Sequence, residues 1–318
     1  MKKLIKSLAV LSILFVAAGG CSKDKLNEKG NIISISGAWA LYPMVVKWAE
    51  EYRKLNPDVQ IDISAGGAGK GMADALSGVV DLGMVSREIN KAEIDKGAWW
   101  VSVVKDAVIP VINVKNPLLD QILKKGLNKY QLVSIWKTGK TKNWNQLIPS
   151  VKQYALHGYT RSDACGAAET WANFLGCKQE DLKGIGVFGD PGLAEAVRND
   201  NLGIGFNNIG FAYDPSIKTP VVGIIPVPID LNNNGSIDAD ENFYKTRDAI
   251  TEAIAKNKYP SPPARDLHLA AKSLPAKESV VAFLNWILKD GQKFVPDAGY
   301  IKLPDDKIKE QIEKLVKK

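Results

Sequence analysis

The sequence predicts an α/β protein whose mostly parallel sheets are flanked by helices and divided into two lobes. Three observations lead there. Strands and helices alternate along the chain, glycine-rich turns lie where strands hand over to helices, and the chain is longer than one hydrophobic core usually organises.

Residues 1–20, MKKLIKSLAVLSILFVAAGG, combine early lysines, an apolar run and small residues, which reads as a secretory signal rather than a resident membrane helix. Cys21 follows a lipoprotein-like Ala-Gly-Gly, so the mature chain is expected to begin at a lipidated Cys21, with residues 21–30 as a polar tether. The plainer alternative is an ordinary signal peptide followed by a stray cysteine. No later apolar run approaches the roughly twenty residues of a membrane span. The formal charge of +7 includes three leader lysines, leaving about +4, and no dense Lys/Arg block points to nucleic acid.

Residues 31–37 read as a buried strand, and 42–57 as a helix with Pro43 in its first turn and Pro57 after its end. A strand over 59–67, a short helix over 69–78 and a strand over 80–86 complete a β-α-β-α-β run. Residues 103–117 extend the sheet to Asn116-Pro117, a crossing point. Beyond it come a helix at 128–137, a strand at 154–160, and helices at 166–175 and 191–199. Glycine-punctuated strands and turns occupy 201–214, followed by a strand at 220–229, a helix at 243–257 and the strand LHLAAK; two C-terminal helical segments end the chain. The division expected is 31–114 with 216–318 as one lobe and 115–215 as the other.

Three junctions, SGAWALYP (36–43), SAGGAGKG (64–71) and RSDACGAA (161–168), would each present unpaired backbone N–H groups at the positive end of a helix. With Ser86-Arg87 at a further strand end, they converge on an anion site at the carboxyl ends of parallel strands.

In the order SGAWALYPMVVKWAEEYRKLNPDVQIDISAGGAGKGMADALSGVVDLGMVSREI, WKTGKTKNWNQL, YTRSDACGAAETW, LGIGFNNIGFAY, KYPSPPARDLHL and FLNWILKDGQKFVPDAGYIKL, the chain resembles phosphate-binding proteins of ABC importers over about residues 31–303. The resemblance implies a type II periplasmic-binding-protein fold closing on an oxyanion between its lobes. It also implies oxyanion contacts at Ala40, Leu41, Tyr42, Ala68, Gly69, Ser86, Arg87, Arg161, Asp163, Cys165, Gly166 and Ala167, with Ser162 and Lys70 close by. The function implied is capture of inorganic phosphate, without catalysis, for delivery to an ABC permease by an extracytoplasmic, lipid-anchored monomer.

This chain departs from the family pattern where hydroxyl residues are usual, carrying Ala38, Ala40, Ala68, Cys165 and Ala167. Asp163, a carboxylate facing an anion, favours a ligand with a proton to donate. Its plainer role is a helix cap or an Arg161 salt bridge. Arsenate, a phosphonate or a surface sensor's oxyanion are the alternatives to phosphate. An enzyme reading would need Cys165 as nucleophile with His157 as base. A helix over 166–175 would hold Cys165 and Cys177 about 18 Å apart, far beyond the roughly 7 Å of a disulfide, so both thiols should be free.

Residues 230–241, DLNNNGSIDADE, match a twelve-residue calcium loop: Asp230, Asn232, Asn234, the Ser236 carbonyl, Asp238 and Glu241 take its ligand positions. No cofactor is expected for function, and any Ca²⁺ here would be structural. The alternative is an Asn/Asp/Gly turn satisfied by its own hydrogen bonds.

Overall fold

The computed structural model describes residues 31–316. The leader, the tether and Cys21 lie outside the described residues.

In chain order the first elements are β1 (Ile32–Gly37), α1 (Tyr42–Leu55), β2 (Gln60–Ala65), α2 (Ala68–Ser77), β3 (Leu82–Val85) and α3 (Lys91–Asp95). The predicted alternation therefore stands, and β1 lies parallel to both β2 and β3. Helix α1 starts with proline in its first turn and buries Met44, Val45, Trp48, Ala49 and Tyr52, a stripe at helical spacing. Trp48 anchors it: the ring is fully buried and its indole donates to the Gly291 carbonyl at 2.8 Å. Burying one such side chain contributes roughly 1.5–3 kcal/mol, so Trp48→Ala would loosen α1 from the sheet.

The next strand, β4 (Trp99–Asn113), is fifteen residues long and joins the two halves of the molecule. After it come α4 (Leu119–Lys125), β5 (Leu127–Asn128), α5 (Lys129–Trp136), β6 (His157–Arg161), α6 (Gly166–Leu175), β7 (Ile185–Val187), α7 (Gly189–Arg198), β8 (Gly203–Asn208) and α8 (Ile209–Ala212). The chain continues through β9 (Ile224–Pro226), β10 (Ile229–Asp230), α9 (Arg247–Ala255), β11 (Ala264–Ala271), α10 (Glu278–Leu288) and α11 (Asp305–Val316).

Nine strands form one mixed sheet in the order β2-β1-β3-β11-β4-β8-β6-β7, with β9 on β4. Residues 99–107 of β4 pair antiparallel with β11, and residues 108–113 pair with β8 on one side and β9 on the other. One hydrophobic cluster, with Ile33, Trp48, Met84, Val101, Leu269 and Phe283, lies around the first part. A second, with Val108, Trp136, Trp144, Trp171, Phe206 and Ile250, lies around the rest. Two cores sharing a continuous strand give two lobes, as the length predicted.

Two expectations differ from the structure. The sequence assigns residues 216–263 to the first lobe, yet Ile224, Val227, Phe243, Tyr244, Ile254 and Tyr259 all belong to the second cluster. The reason is local pairing: β9 sits on the far half of β4, and the Tyr259 hydroxyl donates to the Val108 carbonyl at 2.7 Å. The chain therefore returns along β11, near Ala264. The predicted strand over 220–229 is also split, because Pro226 and Pro228 supply no N–H to a ladder; β10 instead pairs with β5.

Candidate functional site

The carboxyl ends of β1, β2 and β3 from one lobe meet the end of β6 and the start of α6 from the other. Contact is close. A side chain at Gly166 would bring its Cβ within 2.2 Å of the Ser86 hydroxyl oxygen and 2.3 Å of the Ser86 carbonyl oxygen. Gly166 is therefore required if the α6 N-terminus is to rest on the Ser86 turn. Nearby, the Gly69 N–H donates to the Ala164 carbonyl at 3.3 Å, and Gly67, at φ +97°, lies opposite Ala164 and Asp163.

Two buried arginines flank this junction. Arg161 ends β6 and is 5% exposed. Its Nε and Nη2 donate to Asp163 Oδ1 and Oδ2 at 2.9 and 2.7 Å, and its Nη1 donates to Asp190 Oδ2 at 2.8 Å. Asp190 is fixed in turn by the Asn208 amide at 2.6 Å. Burial works against the Arg161 charge, but Asp190, Cys165 and Asp163 outweigh it, and its pKa lies above the ordinary guanidinium range. Arg87 follows β3 and makes a fork with Glu93 at 2.9 and 2.6 Å, while its Nε meets Glu169 of α6 at 3.0 Å. The Glu93 bonds, against a burial cost, raise the Arg87 pKa. Arg265 on β11 bridges the two sides: it donates to the Ser86 carbonyl at 3.0 Å and to Asn208 Oδ1.

Helix α6 begins at Cys165, whose sulfur accepts from the Ala168 N–H at 3.5 Å. The thiol thus fills an N-cap position that a hydroxyl usually takes. Burial is the main cause that pushes its pKa up to about 12, with Arg161 opposing and Asp163 and Asp190 adding to the rise. Burial thus disfavours the thiolate, and the hydrogen-bond geometry is that of a helix cap. His157 pairs with Asp200 at 2.7 Å and lies at the opposite end of β6 from Arg161. Cys165 and Cys177 are both free and stand on either side of α6.

The other predicted residues divide. Ala40, Leu41 and Ala68 are buried at the turns, where their backbone groups are what they can offer; the Ala40 carbonyl already accepts from the Tyr300 hydroxyl at 2.6 Å. Tyr42 is half-buried at the start of α1, and Ala167 is buried in the first turn of α6. Of the first-turn amides of α2 and α6, which have no backbone acceptor within their helices, the Gly69 N–H is taken by the Ala164 carbonyl and the Ala168 N–H by the Cys165 sulfur. Lys70 does not join the cluster: it pairs with Asp74, four residues on along the same helix, and is half exposed. Ser162 is exposed, with its N–H bound to the Val187 carbonyl. Asp190, Glu93, Glu169 and Arg265 belong to the site and were not singled out from the sequence. They lie far along the chain from the arginines or in helices without a motif, so only packing brings them in.

This architecture has known counterparts. The family model described as a PBP superfamily domain matches residues 20–290. The chain belongs to the PBP superfamily. The phosphate-binding protein PstS of Staphylococcus saprophyticus is 23% identical over 310 residues, covering 96% of this chain and 90% of that protein. A Clostridium perfringens protein crystallised with bound phosphate superposes with a TM-score of 0.69 at 24% identity, covering 86% of this chain and all of that one. An ABC-type phosphate transport receptor from Vibrio cholerae gives 0.62 at 21% identity, again with 86% and 100% coverage. These structural likenesses are likenesses of fold.

One predicted feature of this PBP chain lies away from the cleft. In the 230–241 loop, Asp230 accepts from the N–H groups of Asn234 and Gly235 at 3.2 and 2.9 Å. Glu241 accepts from Leu231, Asn232 and Asp238 at 2.8, 3.1 and 3.2 Å. Asp238 takes the side-chain amides of Asn232 and Asn234 at 2.9 and 2.8 Å. Gly235, at φ +81°, makes the sharp sixth-position turn. Among the described residues, no group of three or more His, Cys, Asp or Glu side chains is arranged to hold a metal ion.

Proposed function

We propose that this protein captures inorganic phosphate outside the cytoplasm and delivers it to an ABC permease, by lobe closure and without chemistry. The carrying observation is the α6 N-terminus brought against the Ser86 turn, with Arg161 at its base. Relatives bearing the name phosphate-binding protein supply the ligand class. The leader sequence supports an extracytoplasmic site and anchoring through Cys21, and the chain would act as a monomer. On this reading the ligand contacts come from Ala40, Leu41, Tyr42, Ala68, Gly69, Ser86, Arg87, Arg161, Asp163, Cys165, Gly166 and Ala167.

The charges make the ligand's proton matter. Arg87 and Arg161 are met by four carboxylates, Glu93, Glu169, Asp163 and Asp190. A fully ionised oxyanion would add repulsion, whereas hydrogen phosphate can donate its proton to Asp163 at the lobe junction. Titration calorimetry should therefore show phosphate bound far more tightly than sulfate at neutral pH. Equal affinities would remove Asp163 from that role, and binding of arsenate or a phosphonate in place of phosphate would reassign the ligand.

For the 230–241 loop we propose a structural Ca²⁺ site. Its spacing and the burial of Asp230 and Glu241 support this, and turning the Asn232 and Asn234 amides over would direct their oxygens inward. Calcium should raise the melting temperature and a chelator should reverse the rise. A thermal transition indifferent to both would leave the loop as a self-satisfied turn.

A further inference from the structure

The turns that meet at the cleft carry few side-chain donors. Ala38, Ala40, Ala68 and Ala167 present methyl groups, and the Cys165 thiol is occupied as a cap. Trp39 stands among them, in the turn between β1 and α1, and it reaches across the junction. Its ring meets Phe188 of the other lobe edge-on, with centroids 6.5 Å apart. The edge of the ring carrying Cε2, the carbon bonded to Nε1, packs on Gly189: a Cβ built there would lie 3.5 Å from Trp39 Cε2 and 3.6 Å from Cζ2. Gly189 is the residue whose N–H donates to Asp163 Oδ1 at 3.1 Å. The indole is thereby placed beside the Arg161–Asp163–Asp190 cluster.

The Trp39 N–H is buried and has no acceptor among the described residues. A buried donor left in that condition is disfavoured and calls for an explanation. Two other indole N–H groups, of Trp171 and Trp286, share the condition. Their rings are enclosed by aromatic neighbours inside the two cores, Trp136 and Phe206 for one and Phe283 and Tyr52 for the other. Trp39 alone of the three lies at the lobe junction, where an oxyanion would supply the acceptor.

We infer that Trp39 is a specificity-determining ligand residue: its indole N–H donates to the bound oxyanion, and its ring, packed on Gly189 and Phe188, closes the rim of the cleft. This rests on the phosphate reading above. An indole can donate but cannot accept, so it favours an oxygen without a proton. Asp163 on the neighbouring side would take the oxygen that bears one. The two groups together would read the protonation pattern of a hydrogen phosphate.

The test uses the full chain labelled with ¹⁵N, whose Trp39 indole resonance is identified as the one missing from the Trp39→Phe variant. Added inorganic phosphate should move that resonance downfield and slow its exchange with water. Trp39→Phe, which keeps a ring against Phe188 and Gly189, should weaken phosphate binding about tenfold or more, the scale of a hydrogen bond to a charged group. If wild type binds phosphate while the resonance stays put and Trp39→Phe binds equally well, the indole assignment is wrong and the phosphate reading survives. If wild type takes up no phosphate, the functional reading falls and Trp39's role falls with it. Should Trp39→Phe fold poorly, the wild-type resonance, assigned through Trp39→Tyr, decides the matter.

Discussion

Arg161 and Arg87 come from different lobes, and each is neutralised by two carboxylates, but the carboxylates come from different places. Asp163 and Asp190 both belong to Arg161's own lobe, and all three side chains are almost fully buried. Arg87 has Glu93 on its own side, but its second partner, Glu169, reaches over from α6 of the other lobe and is 37% exposed. The first arrangement is a cage that lobe motion leaves intact. The second is a tie that opening must break. On the proposed reading, such a cleft would keep one arginine in fixed position for the ligand and use the other to sense closure.

The largest test of that contrast is Arg161→Ala. It strands two buried carboxylates, and breaking a buried pair in this way costs about 3–5 kcal/mol. Denaturant unfolding should show that loss, and calorimetry should show phosphate binding abolished. Retained binding would mean that the anion sits elsewhere. Arg87→Ala should cost clearly less, because Glu93 and Glu169 keep partial access to water.

A third charge pair, at the hinge, separates the two lobes' contributions. Asp106 on β4 faces Arg265 on β11 at 3.8 Å, and burial, partly offset by Arg265, pushes its pKa up to about 6. An acid whose folded pKa is raised contributes stability below its unfolded pKa near 4, and that contribution is lost as pH rises through about 6. His268, three residues along β11, behaves oppositely. Burial lowers its pKa to about 4, so its contribution is present above roughly 6.5 and lost on acidification. The two legs oppose each other in one pH window. Asp106→Asn removes the first, so the variant should lose stability on going from pH 7 to pH 4 by about 2 kcal/mol more than wild type does. Parallel stability curves for the two proteins would show that Asp106 is not perturbed as its burial implies.

What was legible in the sequence follows the same division between local and distant causes. The β-α-β-α-β run, the Pro43 helix start and the Gly166 helix start were readable, because apolar spacing and turn chemistry act within a few residues. Arg161 and Asp163 were readable as neighbours for the same reason. Asp190 lies 29 residues from Arg161, and Glu169 meets Arg87 only because Gly166 permits α6 to rest on Ser86. No local pattern encodes either contact. The return crossing near Ala264 was misplaced because the choice between halves of β4 is made by strand pairing and by the Tyr259–Val108 bond. Trp39 has a local signal for the role inferred above, being a large aromatic donor within a turn whose other side chains are mostly small.

The smallest effect expected is also the one that bears most directly on motion. Glu169→Gln removes the charge of the cross-cleft tie while leaving the Arg161 cage untouched. Glu169 is more than a third exposed, and solvent screens such a pair, so stability should change by no more than about 1 kcal/mol. The lobes should respond more than the stability does, since a modest energy suffices to shift an open–closed equilibrium several-fold. Solution scattering of the unliganded variant should give a larger radius of gyration than wild type. Raising the salt concentration should move wild type the same way, because a partly exposed pair weakens with ionic strength. Adding phosphate should restore the compact form in both proteins. If instead the unliganded variant keeps the wild-type radius at every salt concentration, Glu169 is an ordinary surface partner of Arg87. Closure would then rest on the remaining contacts across the junction: Gly166 on Ser86, Gly69 on Ala164, Trp39 on Phe188 and Arg265 on Asn208.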